Sequence, residues 1–202
     1  MAVKVVDLRC SGCGGALAPS ERFCKFCGNA VVVTSFNDIF AASAQDAAKL
    51  SRALDKDLAA GPGGEMGTLI KFTQAGCYLK LKLYEKAQAR FEEAIEENFD
   101  NPEAYFYAAV CLLGGKKAFL APLAAIKKAI EYINAALMIE NRGVFNYFLA
   151  YIKYDFHERR CLRISPAWRE ELSAALSNNL SPLDADSLFA ILGVERPPEL
   201  SV

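Results

Sequence analysis

Residues 75–94, AGCYLKLKLYEKAQARFEEA, decide the fold of this chain. Ala75, Tyr78, Tyr84, Ala87, Phe91 and Ala94 set small and aromatic side chains at helical spacing. Small residues let two helices approach closely, and rings fill the space at their turn. The pattern recurs: adding 34 carries Ala75 to Ala109, Cys77 to Cys111 and Tyr78 to Leu112. A fixed period of this length marks stacked helical units, each burying its apolar face on the next. Two cysteines at one repeat position read as small buried residues of a helix seam rather than as metal or redox groups.

This spacing resembles the tetratricopeptide repeat (TPR), a helix–turn–helix unit of 34 residues. The resemblance runs from Thr68 to about Phe156, and Tyr105 falls where the family prefers a large ring. It holds for one and a half repeats and then loosens. The inner small residue of the second unit is due at Ala121, but its match is Ala129, eight positions later. Residues 114–122 therefore read as an insertion and Leu123–Ile139 as the second helix. A further helix is expected over Val144–Phe156, with Tyr147, Leu149, Ala150 and Ile152 facing inward. Ser165 reads as the cap and Pro166 as the first residue of a helix that runs to about Ser177. Ser181-Pro182 opens the last helix, Gly193 stops it, and Pro197-Pro198 ends the ordered chain.

The resemblance also implies a concave face lined by first helices, where such arrays take peptides or partner helices. Here that face would hold Leu69, Phe72, Gly76, Leu79 and Lys80, then Glu103, Phe106, Val110 and Leu113. Phe72 and Gly76 stand where some family members begin a Lys/Asn/Arg clamp for a terminal carboxylate. The groove is thus apolar, and an open apolar groove is an association liability. Either the preceding helix of this chain fills it, which is the preferred reading, or it receives an amphipathic helix from a partner.

Upstream lie Cys10-Ser11-Gly12-Cys13 and Cys24-Lys25-Phe26-Cys27, each pair followed by glycine. A two-residue gap lets both sulfurs of a pair reach one ion, and four soft thiolates suit tetrahedral zinc. Iron in the same site is the other metal this donor set admits. A segment this small cannot bury a core, so metal must supply its folding free energy. Four thiolates close the coordination sphere, which makes the expected role of Cys10, Cys13, Cys24 and Cys27 structural. Thioredoxin-style redox chemistry needs one pair at a helix N-terminus after a strand, a context missing from this pattern. These knuckles resemble the zinc ribbons at the amino end of many bacterial and archaeal proteins. Some ribbons bind nucleic acid and others tether or dimerise. In residues 1–36, Lys4, Arg9, Arg22 and Lys25 against Asp7 and Glu21 sum to +2. A four-thiolate zinc carries −2, so the segment is near neutral, with Phe23, Phe26 and Phe36 as its rings. That is a poor nucleic-acid footprint.

Between ribbon and repeats, a connecting helix is expected over residues 37–60, capped by Asn37, with Ile39, Ala47, Leu50, Leu54 and Leu58 on one face. Residues 61–67, GPGGEMG, read as a linker. They do not read as a phosphate cradle, because no Gly-Lys-Ser/Thr ending follows. The expected fold class is mostly α: TPR-like antiparallel hairpins (an α-solenoid) over 68–202, behind a small β zinc ribbon over 1–36.

The 202 residues are 53% hydrophobic with net charge −1, enough apolar content for a core and no global case for a nucleic-acid or anionic-membrane partner. The longest apolar run, Ala104–Leu113, is ten residues, about half of the ~20 a membrane span needs. Charges at Lys4 and Asp7 argue against a signal peptide. Seven cysteines, an odd number, fit a reducing, cytoplasmic setting.

Two charged regions stand out. Glu92, Glu93, Glu96, Glu97, Asp100 and Glu103 form an acidic ridge, read as solvated surface. Arg159, Arg160, Arg163 and Arg169 cluster near His157, the one histidine, and could meet an acidic partner or phosphate. His157 and Cys161 stand four apart, but two ligands do not make a metal site. No nucleophile elbow or dinucleotide loop occurs. The expected function is a non-enzymatic zinc-binding adaptor that docks a protein partner. A nucleic-acid- or transcription-associated factor and a thiol or zinc redox sensor are the alternatives.

Overall fold

The computed structural model describes residues 8–9, 15–17, 25–27, 43–61 and 64–202. The described chain is mostly helical, built from helices that pack on their neighbours in sequence. No described helix is long and apolar enough to cross a membrane.

Helix α1 spans Ala44–Ala59. Ser43, extended at φ −68° and ψ 155°, caps it by accepting the Asp46 N–H at 3.2 Å. The cap is therefore Ser43, while Asn37 lies outside the described residues. A hydroxyl at this position satisfies one of the orphan donors of the first turn. Ala47, Ser51 and Leu54 form the buried face. Helix α2 spans Gly64–Lys80, so the glycine-rich stretch expected as a linker to residue 67 already belongs to a helix from Gly64. Gly61 at φ +73° and Gly64 at φ +67° make the turn, a conformation that glycine adopts without steric cost.

Helix α3, Tyr84–Glu97, returns antiparallel to α2. Thr68 near the start of α2 donates to Glu97 at the end of α3 at 2.8 Å, and Lys71 pairs with the same carboxylate. Ala75, Ala87, Ala94 and Phe91 are buried to 1% or less in this hairpin. Helix α4, Pro102–Leu113, starts on Asn101, which accepts the Glu103 N–H at 3.1 Å, and ends on left-handed Gly114. Helix α5, Leu123–Ile139, matches the second helix expected from the displaced Ala129. The insertion before it holds a 3₁₀ turn, Ala118–Leu120.

Helix α6, Gly143–Ile152, continues through a π-helical turn, Lys153–His157, and a 3₁₀ turn, Glu158–Arg160. Cys161, left-handed at φ 55°, ends it. Helix α7 spans Trp168–Ser177 and packs along α6. Its cap position is Ala167, not Ser165: the Ser165–Pro166 bond is cis, and the Glu170 carboxylate accepts the Ala167 N–H at 3.1 Å. A β-carbon at Gly143 would stand 2.6 Å from the Ala175 carbonyl oxygen, so glycine lets α6 begin against the end of α7. Helix α8, Pro182–Leu192, has Ser181 as cap and Gly193 as stop. The chain stays ordered beyond Pro197: Pro198–Leu200 forms a 3₁₀ turn, Leu200 is fully buried, and its carbonyl accepts the Tyr147 hydroxyl at 2.5 Å.

A continuous line of rings forms the core. Phe72 meets Phe91 at 5.6 Å, Phe91 stacks on Tyr107 at 5.5 Å, and Phe106 meets Phe145 at 5.1 Å. Tyr151 and Phe189 extend the line to α8 at 5.1 Å. Each such pair adds about 0.5–1.5 kcal/mol beyond the area it buries.

Candidate functional site

Of the four cysteines read as metal ligands, Cys27 lies among the described residues, exposed and in a turn at 25–27. Cys10, Cys13 and Cys24 lie outside them. Leu8–Arg9 (β1) pairs antiparallel with Ala16–Leu17 (β2), Leu8 opposite Leu17 and Arg9 opposite Ala16. Among the described residues no three His, Cys, Asp or Glu side chains gather as a metal site, so His157 and Cys161 acquire no third ligand there.

The residues carried over as a docking groove divide sharply. Leu69 is 50% exposed, and Phe72 is half-buried against Phe91 and Tyr107. Leu79, Phe106, Val110 and Leu113 are between 0 and 3% exposed and belong to the core. Two parts of the chain cover the face. Helix α1 packs on α2, setting Ala47 and Leu50 against Cys77 and Leu81. Helix α6 covers α4 with Phe145 and Phe148.

Among the cysteines, Cys77 and Cys111 are both buried. Burial pushes the Cys77 thiol up to about 11 and the Cys111 thiol well above the usual range. Such thiols are poor nucleophiles and poor ligands at neutral pH.

The acidic ridge is largely engaged. Glu92 accepts from Lys128 at 2.6 Å and Tyr132 at 2.8 Å, joining α3 to α5. Glu103 pairs with Arg142 at 3.0 Å and Glu93 with Arg90 at 2.6 Å. Burial raises the Glu103 carboxyl, against the pull of Arg142.

The basic cluster splits into a clamp and a rim. Asp155, buried to 1%, accepts the Phe119 N–H at 2.7 Å and pairs with Arg159. The Tyr151 hydroxyl accepts the Ala118 N–H at 3.2 Å. Arg160 donates to the Phe119 carbonyl, and both Arg159 and Arg160 lie 4.8 Å from the Phe119 ring centroid. Two of the four arginines thus hold the 3₁₀ insertion onto the end of α6. No local pattern announces this clamp, because its partners stand 36 residues apart.

Beside the clamp opens a cleft of about 740 Å³, walled by the end of α6, the loop 161–167 and the start of α7. Lys153 is among the residues that line it. The amine is buried, donating to the Pro166 carbonyl at 3.0 Å and to the Glu171 carboxylate at 2.5 Å. Trp168 is 6% exposed, and its indole N–H is buried without an acceptor among the described residues. Tyr154 meets that ring edge-on at 5.1 Å, and Arg169 lies over it at 4.3 Å. Arg169 is also within 3.8 Å of Glu158. Burial and the nearby Lys153 charge lower the His157 imidazole. A π-helical turn feeding such a cleft is a common device for re-aiming side chains at functional sites. Lys153 and Arg169 answer Glu171 and Glu158, and the Trp168 N–H stays without an acceptor among the described residues.

Comparison with protein-family models, with curated proteins and with solved structures finds no match to this chain.

Proposed function

We propose that this protein is a non-enzymatic zinc-binding adaptor, with one structural Zn²⁺ on Cys10, Cys13, Cys24 and Cys27 and a TPR-like helical domain that docks a protein partner. The repeat register carries the reading. Ala75 and Ala109, 34 apart, are both fully buried, and Cys77 and Cys111 are 0 and 3% exposed at the same offset in α2 and α4. Equivalent small residues at equivalent seams are what stacked helical units require, and such arrays work through their outward surfaces. The zinc assignment draws on the donor set, four soft thiolates in two Cys-x-x-Cys pairs. It draws also on the β1–β2 ladder, whose connecting segment contains Cys10 and Cys13. The ion would fold the segment and supply no chemistry. A reducing, cytoplasmic setting keeps the thiolates available.

Metal analysis of the full chain tests the first half: one zinc per chain is expected, falling to none with Cys10→Ser and Cys24→Ser together. Crosslinking mass spectrometry on the full chain in lysate tests the second. Partner crosslinks should fall on helices α1–α8. Retention on RNA or DNA that falls with salt, with crosslinks in residues 1–36, would instead assign a nucleic-acid factor.

A further inference from the structure

We propose that the cleft between α6 and α7 takes an acidic, extended segment of the partner protein; this rests on the adaptor reading above. Its volume of about 740 Å³ is that of a ligand site rather than of a packing fault. Three observations choose the occupant.

The first is charge. Arg159, Arg160 and Arg169 each have partners within the chain, whereas Arg163, exposed on the cleft wall, makes no ion pair or hydrogen bond among the described residues. The one acid on the wall, Glu158, faces Arg169. The unanswered charge of the cleft is therefore positive.

The second is the indole N–H of Trp168, a buried donor with no acceptor among the described residues, on a side chain that is 94% buried. Leaving such a donor unmet costs about 1–3 kcal/mol, and because the nitrogen itself is buried, a ligand carboxylate reaches it only with a shift of the indole.

The third separates a peptide from a free anion. Leu162–Ile164 is neither helix nor strand, and the N–H groups of Arg163 and Ile164 have no acceptor among the described residues. Leu162 beside them is 47% exposed. Open main-chain donors next to an apolar side chain match the needs of an extended peptide, which pairs backbone to backbone and seats alternate side chains. Phosphate accepts from main-chain donors too, but it makes no use of the exposed apolar Leu162.

Trp168 is the single tryptophan beside eight tyrosines, so emission excited selectively at the indole reports on this cleft. The probe is a blocked heptapeptide alternating Glu and Leu, titrated into the full chain. A saturable change in emission is expected, weakened about tenfold or more in Arg163→Glu and by added salt. Arg163 is exposed, so the variant should keep its helical circular dichroism and melting temperature. The Gln-for-Glu peptide should give no change. Silence with the acidic peptide, an equal response to inorganic phosphate, or tighter binding of a single-stranded oligonucleotide would each overturn the proposal. If a crosslinked partner binds Arg163→Glu as well as the native chain, the cleft is wrong and the adaptor reading stands.

Discussion

Phe106 of α4 and Phe145 of α6 lie with ring centroids 5.1 Å apart, which closes the face that the repeat pattern leaves open. Phe106 also meets Phe148 at 5.6 Å and is fully buried. Truncating a ring packed on all sides loses its transfer free energy and leaves a cavity, so Phe106→Ala is expected to cost about 3–5 kcal/mol. Leu69→Ala, at a site 50% exposed, should change stability by less than about 0.5 kcal/mol. Urea unfolding followed by circular dichroism measures both. Equal effects would remove Phe106 from the core.

What the sequence made legible, and what it hid, follows from the range of the interactions. Helix α5 could be placed from Ala129, and α8 from Ser181 and Gly193, because periodicity, caps and stops are local. Ser43 caps α1, although Asn37 is an equally good cap type and the apolar spacing runs back to Ile39, so local signals alone do not choose between them. The closed groove had a signal that was available: Val144–Ile152 is apolar almost all round, and such a helix is buried on every side. Reading α6 that way would have covered Phe106. The clamp on Phe119 and the Lys153–Glu171 pair had no such signal, since each joins residues that only the tertiary fold brings together.

The Glu92 carboxylate sets an acid limit. Burial raises it, but the bonds from Gln88, Lys128 and Tyr132 outweigh that and hold it below its ordinary 4.5. A carboxylate with a depressed folded-state pKa stabilises above the unfolded value, and that contribution is lost as pH falls through the folded one. Melting temperature should therefore drop as pH is lowered below about 4.5. Glu92→Gln should begin lower at pH 7 and fall less steeply. Parallel acid limbs for the two proteins would assign the loss to other carboxylates.

The insertion at 114–122 should loosen as one piece. Asp155→Ala leaves the Phe119 N–H without its acceptor and Arg159 without its partner, an expected loss of about 2–3 kcal/mol. Tyr151→Phe removes only the acceptor of the Ala118 N–H, about 1 kcal/mol. Hydrogen exchange at Ala118 and Phe119 should speed up in both variants, with α8 unchanged. Uniform acceleration through the chain would show that the clamp is not a local unit.

Lys153 and Glu171 join α6 to α7 with side chains only 5% and 11% exposed. Removing one partner strands a buried charge, so Lys153→Met alone should cost about 3–5 kcal/mol. Changing both, Lys153→Met with Glu171→Leu, leaves no charge to strand and should cost less than either single change. A double-mutant cycle in urea reads the coupling directly. Additive losses would mean that the pair contributes through packing alone.

Thiol counting tests the cysteine assignments in one experiment. Cys161 is exposed, whereas Cys77 is fully buried with its thiol pushed up to about 11. At pH 8 that leaves roughly one Cys77 in a thousand as thiolate, the reactive form, and Cys111 fewer still. If zinc holds Cys10, Cys13, Cys24 and Cys27, an aromatic disulfide reagent should titrate one fast thiol in the chain as purified. It should titrate five after chelation, and all seven in denaturant. Cys161→Ser should remove the fast thiol and nothing else. Five fast thiols before chelation, in a chain kept reduced throughout, would defeat the metal assignment. Zinc release by mild oxidant, with the count in denaturant falling by four as the thiolates pair into two disulfides, would instead support sensing by the metal-bound thiolates.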